Sequence, residues 1–356
     1  MPMLGSVNHL DQVAREWNIN PEDVLLIALN ASGARSPLTK PRMRFRLRLN
    51  TRPDTPLFLI ISLGRQGSPF ELDEHALRLN GVTVGEVDGI EDDDAVLGYW
   101  RGGTRMLTLN SNARSQCTGC VFCPNTLEDA SDPAIRALDL PGYLGALAAN
   151  SGMADLSAVE TVTVCTGCFL HEHLALRHLA EVRGAMGANG CTGTLHFLSS
   201  VLSTEEGLEA AAGLGPFHLT LTAECFTERR QILKESKAKL TPTEMTATLG
   251  RAQRRGITTD FTYIVGLDPI ESALAHLRDF VPVTTAFPRF QTYQAHNAFM
   301  DVYRAPGSDA IEWHLTMRRS LEALFAPTGL RPEWWQNYRS PWCFTFADEE
   351  LTGAKV

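Results

Sequence analysis

Cys117, Cys120 and Cys123 stand in the stretch Cys-Thr-Gly-Cys-Val-Phe-Cys, a C-x2-C-x2-C spacing. Thiolates are soft ligands that suit iron–sulfur clusters or zinc. Three of them hold a [4Fe–4S] cubane and leave one iron open to an outside ligand. A structural zinc site or an electron-transfer cluster takes a fourth protein ligand. A second pair, Cys165-Thr166-Gly167-Cys168, lies further along. Besides plain packing, two readings of it stay open. With Cys120 and Cys123 it makes a four-thiolate zinc site in a binding or scaffold protein; alone it is a thiol-redox pair. The zinc reading needs a gap longer than the roughly 15–20 residues of compact zinc ribbons and leaves Cys117 over. His171-Glu172-His173 follows, without the i, i+4 spacing that sets two histidines on one helix face. It reads as the polar start of a helix, with a zinc ligand as the alternative.

The Cys117–Cys123 stretch resembles the cluster loop of radical S-adenosylmethionine enzymes. The usual spacing there is C-x3-C-x2-C; here Gln116 stands at the first position and Cys117 comes one residue later. The resemblance implies a [4Fe–4S] cluster on Cys117, Cys120 and Cys123, with S-adenosylmethionine chelated to the open iron. It also implies an external flavodoxin- or ferredoxin-like electron donor. A 5′-deoxyadenosyl radical then abstracts hydrogen from a small organic or peptide-like substrate, in a biosynthetic role.

Residue by residue, the resemblance puts Phe122 near the adenine and Gly167 at the methionine amino group. Ser199 ends a strand where it can hydrogen-bond a carboxylate. Glu224 is placed at the ribose hydroxyls. Arg230, with Lys237 second, is placed at the methionine carboxylate. Val265 and Gly266, in Tyr-Ile-Val-Gly-Leu-Asp, are placed against the adenine. His296 sits where adenine contacts fall and is also a possible substrate base. Further candidates for catalytic groups are Cys168 and Tyr263.

These residues need strands and helices to hold them. From about residue 105 the pattern alternates. Strands are expected at 105–109, 159–164, 194–198, 218–222, 259–265 and 290–294, and helices at 140–149, 172–186, 204–212, 243–255, 271–280 and 310–325. Such alternation means a parallel α/β sheet, doubly wound or barrel-like. The resemblance implies a partial (β/α)6 TIM-like barrel over 101–330, with the active residues at the C-terminal strand ends. Residues 1–100 read as an N-terminal α+β accessory region with helices at 9–17 and 21–29. Asn20 is expected to cap the second, with Pro21 at its first position. Strands are expected at 42–49, 57–63 and 81–87. Arg42, Arg44, Arg46 and Arg48 alternate along the first and read as a solvated face. Residues 331–356 form an aromatic tail with Trp334, Trp335, Tyr338 and Trp342, expected to pack on the barrel. With only Cys343, the tail lacks the cysteine-rich extension of members with auxiliary clusters, and nothing suggests a cobalamin region.

Of 356 residues 44% are hydrophobic and 21% charged, and the net charge is -9. A negative chain argues against a nucleic-acid partner. No apolar run reaches the ~18 residues of a membrane span. No secretory signal is read, and the clustered cysteines argue for metal over disulfides, so the cytoplasm is expected.

Overall fold

The computed structural model describes residues 4–92, 97–111, 119–123, 139–165, 169, 171–333, 338–353 and 355. Two helices open the chain, α1 (Val7–Trp17) and α2 (Pro21–Ser32). Asn20 caps α2 by accepting from the Glu22 amide, and Pro21 holds the first helical position, as the sequence predicts. An antiparallel sheet follows: β1 (Arg42–Leu49), β2 (Arg52–Ser62), β3 (Phe70–Leu72), β4 (Ala76–Leu79) and β5 (Val82–Asp92), in the order β2-β1-β5-β4-β3. Phe45, Leu47 and Leu49 turn one face of β1 into the core under α2. The arginine face departs from expectation. Arg46 is exposed, but Arg44 is buried, with its guanidinium over the Tyr99 ring at 5.0 Å.

The second sheet has seven strands. β6 (Gly98–Arg101) and β7 (Met106–Leu109) form an antiparallel hairpin. After α3 (Leu140–Asn150) the sheet grows through β8 (Thr161–Val164), α4 (Glu172–Ala188), β9 (Thr194–Ser199), α5 (Glu205–Ala212) and β10 (Phe217–Glu224). Two four-residue helices, α6 (Arg229–Ile232) and α7 (Glu235–Ala238), precede α8 (Pro242–Gln253), β11 (Thr258–Val265), α9 (Ile270–Phe280) and β12 (Arg289–Thr292). The chain closes with α10 (Ala298–Asp301), α11 (Ile311–Phe325) and a hairpin of β13 (Thr345–Phe346) and β14 (Glu349–Glu350).

From β7 to β12 every neighbouring pair is parallel, and the strands stand in strict chain order. A doubly wound sheet reverses direction at a switch point; this one never does, which is barrel topology. Among the described residues β6 and β12 do not pair, so the barrel is partial. Side chains alternate across the strands with period two. Phe217, Leu219, Leu221 and Ala223 of β10, with Phe261, Tyr263 and Val265 of β11, pack in the large core that includes the helices. At roughly 1.5–3 kcal/mol for each large apolar side chain buried, that layer dominates the stability. The other face is polar: His218, Thr220, Thr222 and Glu224 on β10, Asp260 and Thr262 on β11, all buried.

The tail is tied back by one carboxylate. Asp23 of α2 accepts from the amides of Cys343, Phe344 and Thr345 and lies 3.2 Å from the Arg318 guanidinium. Trp342 packs edge-on against Phe287 and Phe290 of the barrel at 5.4 and 5.7 Å. Trp334 and Trp335 lie outside the described residues. Among the described residues no helix is long and apolar enough to cross a membrane.

Candidate active site

A cavity of about 380 Å³ opens at the C-terminal strand ends, lined by Phe122, Ser199, Thr222, Glu224, Lys237 and Ile264 among others. The cysteine loop borders it. The Val121 amide donates to the Ile232 carbonyl (2.9 Å), and the Cys123 amide to the Cys120 carbonyl (3.0 Å). The Lys234 amide points at Cys120 Sγ from 3.4 Å, the kind of contact that tunes cluster sulfurs. Gly119 has φ +103°, and a Cβ there would come 3.1 Å from Lys234 Cβ, so only glycine fits. Burial pushes the Cys120 thiol above its ordinary range, against the pull of the Lys237 charge and the Lys234 amide. A bound metal reverses that balance, because it takes the thiolate. Cys117, Gly167 and Cys168 lie outside the described residues.

Glu224 reaches the cavity through a local irregularity. Thr222 pairs with Thr262, but Glu224 pairs with Tyr263, so Ala223 is an extra residue and the strand bulges. Glu224 then takes the left-handed conformation, φ +66°. Strain of this kind persists only where the surroundings enforce it. Two buried side chains do so. Arg229 donates to the carbonyls of Ala223, Cys225, Lys237 and Leu240. Asp268 accepts from the amides of Phe226 (2.9 Å) and Thr227 (2.7 Å) and from the Thr227 hydroxyl. Lys237 Nζ then lies 3.0 Å from Glu224 Oε1.

Of the two cations singled out in the sequence, Lys237 is the one on this wall, beside Lys234 and Arg339. Arg230 is exposed and does not line the cavity. Arg229 beside it turns inward to staple the loop, which sends Arg230 to solvent. The fifth strand is offset by one residue. Val265 and Tyr263 face the helix layer, with the Tyr263 ring stacked on Phe226 at 5.2 Å. Ile264 takes the inward position. Gly266 (φ +115°) lies behind, where a Cβ would approach Tyr293 Cβ to 3.1 Å. Ser199 is on the wall, its Oγ accepting from the Val201 amide and its proton left to donate. His296 lines a different cavity, with Arg65, Asp301 and Arg304. Burial, with Arg42, Arg339 and Arg65 nearby, pushes it down to about 2, so it is a very weak base.

Several wall residues carried no motif. Thr222 and Thr262 line the cavity, and among the described residues their hydroxyls have no hydrogen-bond partner. Alternation along β10 and β11 is the signal that would have found them. Gln291 and Arg339 also line it, as does Cys165, whose Sγ lies 3.3 Å from Asn110 Oδ1. Burial pushes the Cys165 thiol up to about 11 despite Arg101, Arg289 and Arg44, so it stays protonated.

Among the described residues the side chains that converge as metal ligands are His196, His218 and Asp260, not the cysteines. That cluster is already served by a cation. Arg289 lies 3.8 Å from Asp260 and 3.2 Å from His196 Nδ1. The threonines 163 and 220 engage both His196 nitrogens at 3.0 and 2.7 Å. Burial holds His196 neutral. The His171-Glu172-His173 run is structural at its centre: Glu172 accepts from the amides of Ser203 (2.7 Å) and Thr204 (3.0 Å).

No family model and no curated protein matches the chain. Solved structures do. SuiB from Streptococcus suis bound to S-adenosylmethionine is 10% identical with a TM-score of 0.40, over 59% of this chain and 44% of that one. SuiB bound to its precursor peptide SuiA is 12% identical with a TM-score of 0.40, over 60% and 44%. The radical S-adenosylmethionine methyltransferase TsrM from Kitasatospora setae, with cobalamin and a [4Fe–4S] cluster, is 16% identical with a TM-score of 0.30, over 38% and 27%. Each match spans less than half of the solved chain's length.

Proposed function

We propose that the chain is a radical S-adenosylmethionine enzyme. The observation that carries this reading is the position of Cys120 and Cys123, on a loop beside a polar cavity at the C-terminal ends of parallel strands. Cys117, Cys120 and Cys123 would hold a [4Fe–4S] cluster. When bound, cluster and S-adenosylmethionine supply a carbon-centred radical that removes hydrogen from a substrate.

The residues present fit that pair of groups. Three soft thiols suit iron, and the Gly119 turn lets the loop lie against Lys234. The hydroxyls of Thr222 and Thr262, without a partner among the described residues, offer hydrogen bonds to a polar ligand. Lys237 offers a charge to the methionine carboxylate, in place of Arg230. Glu224 accepts from vicinal ribose hydroxyls. Phe122 and Ile264 give apolar surface for the adenine, and Ser199 a hydroxyl donor.

The substrate on this reading is a small organic or peptide-like molecule in a biosynthetic pathway of the cytoplasm. An external one-electron protein donor completes the system. The test is oxygen-free incubation of the reduced protein with S-adenosylmethionine. Formation of 5′-deoxyadenosine, lost in Cys120→Ser, supports the reading; none from a protein of full iron content sinks it.

A further inference from the structure

A second cavity, of about 240 Å³, adjoins the first and shares Cys165, Leu198, Gln291 and Arg339 with it. Gln294 also lines it and is only 1% exposed. The Gln294 Nε2 donates to Asn30 Oδ1 (3.0 Å) and to the Ile60 carbonyl (2.9 Å). A backbone carbonyl only accepts, so this amide cannot be turned round. Its Oε1 is left buried and, among the described residues, without a hydrogen-bond partner. Gln291 is set the other way. Arg339 Nη2 donates to the Gln291 Oε1 at 2.6 Å. A guanidinium only donates, so Gln291 keeps its N–H2 group to offer.

We propose that this cavity is the substrate pocket and that it takes a neutral amide, whose N–H donates to Gln294 Oε1 and whose C=O accepts from Gln291 Nε2. The proposal rests on reading the first cavity as the S-adenosylmethionine site.

The two glutamines stand three residues apart, at most about 11 Å of chain, so two long side chains on one wall can reach one ligand. A buried acceptor without a donor is costly to a fold, and a ligand N–H removes that cost. The arginines of the same wall have other engagements. Arg339 holds Gln291, Arg289 lies 3.8 Å from Asp260, Arg101 stacks over the Tyr338 ring at 3.6 Å, and Arg42 has a partner of its own. Burial keeps the Cys165 thiol protonated, so it brings no charge.

Position and size agree with this use. Gln291 lines both cavities, so an amide bound to it lies beside the place where hydrogen is removed. Asn30 and Ile60 belong to α2 and β2, which gives the N-terminal region a part in setting the Gln294 acceptor. The volume lies below the roughly 300 Å³ at which pockets for drug-sized ligands begin, which favours a small lactam or carboxamide, or a single peptide unit.

Saturation-transfer NMR titration of the oxygen-free holoprotein, without reductant, tests this with 2-pyrrolidinone and with N-acetylalanine methylamide. Saturable binding of at least one is expected. Tighter binding of the first assigns a small lactam-like substrate, and of the second a peptide unit. N-methyl-2-pyrrolidinone, which keeps the C=O but has no N–H, should bind at least fivefold more weakly than 2-pyrrolidinone. Gln294→Met and Gln291→Met should each weaken the amide at least fivefold, and Gln66→Met, an exposed residue of another cavity, should leave it unchanged. If Gln294→Met loses its native circular dichroism, Gln291→Met and the ligand series on the unmutated protein decide. No saturable amide binding, equal binding of the N-methyl compound, tighter binding of succinate, or displacement of the amide by S-adenosylmethionine overturns the proposal. Because the titration needs no radical, amide binding by a protein that forms no 5′-deoxyadenosine would keep the pocket and sink the radical reading. 5′-Deoxyadenosine formation without amide binding would do the opposite.

Discussion

Glu224 and Lys237 form an ion pair at 3.0 Å on the cavity wall, each side chain about 12% exposed. Removing one member of a buried pair leaves the other charge uncompensated, at about 3–5 kcal/mol, whereas removing both costs much less. Lys237→Met should therefore destabilise the fold more than the double variant Glu224→Gln/Lys237→Met. Urea unfolding of the four proteins in the cycle measures this. Binding should behave differently. All three variants should weaken S-adenosylmethionine binding tenfold or more, since both charges line the cavity proposed to hold it.

The loop behind this pair hangs on Asp268, which is fully buried and receives two amides and a hydroxyl. Asp268→Asn turns one acceptor into a donor facing N–H groups. A loss of about 3 kcal/mol is expected, the range for hydrogen bonds to a charged group left unmade. Because the same loop holds Glu224 in its left-handed turn, S-adenosylmethionine affinity should fall as well. Thermal unfolding and calorimetric titration check the two effects separately.

Gly119→Ala separates cluster assembly from folding. At φ +103°, with Lys234 Cβ 3.1 Å from the added methyl, the Cys120 turn has to shift. Iron incorporation should drop below half of wild type, while the far-ultraviolet circular dichroism is retained. Full iron loading in this variant would show that the turn does not set the cluster loop.

Much of this architecture was legible in the sequence, and the failures have physical causes. The parallel strands β7 to β12 were readable because each is an apolar run separated by an amphipathic helix. β6 was not, since its four residues are all partly exposed and show no alternation. Glu224 was legible as a strand-end residue, and it lines the cavity. Ile264 was missed in favour of Val265 because which face of a strand points inward depends on register, here Thr222 against Thr262. Arg230 was preferred to Lys237 because helices of only four residues leave no periodicity to read. The alternating arginines of β1 were legible as a strand face. The burial of Arg44 among them was not, because its cover comes from Tyr99, distant in sequence.

His314 gives the fold an acid-sensitive point. Its Nε2 lies 2.9 Å from the Ser308 carbonyl oxygen. Burial pushes its pKa from 6.5 down to about 4, opposed by that hydrogen bond. Between those values the unfolded chain binds the extra proton, so stability rises with pH across the window. The contribution is intact above pH 6.5 and is lost as pH falls toward about 4, on the order of 3 kcal/mol in all. His314→Gln keeps a donor toward Ser308 and removes the titration. Its stability difference between about pH 7 and 4.5 should be smaller than that of wild type by roughly 2–3 kcal/mol, measured by urea unfolding.

The most direct test of the account is an absorbance spectrum with an iron and sulfide count on protein reconstituted without oxygen. The account predicts a brown protein with about four irons and four sulfides per chain, and a colourless one after Cys123→Ser. A colourless wild-type protein carrying one zinc would contradict it and would make the two C-x2-C pairs a structural site.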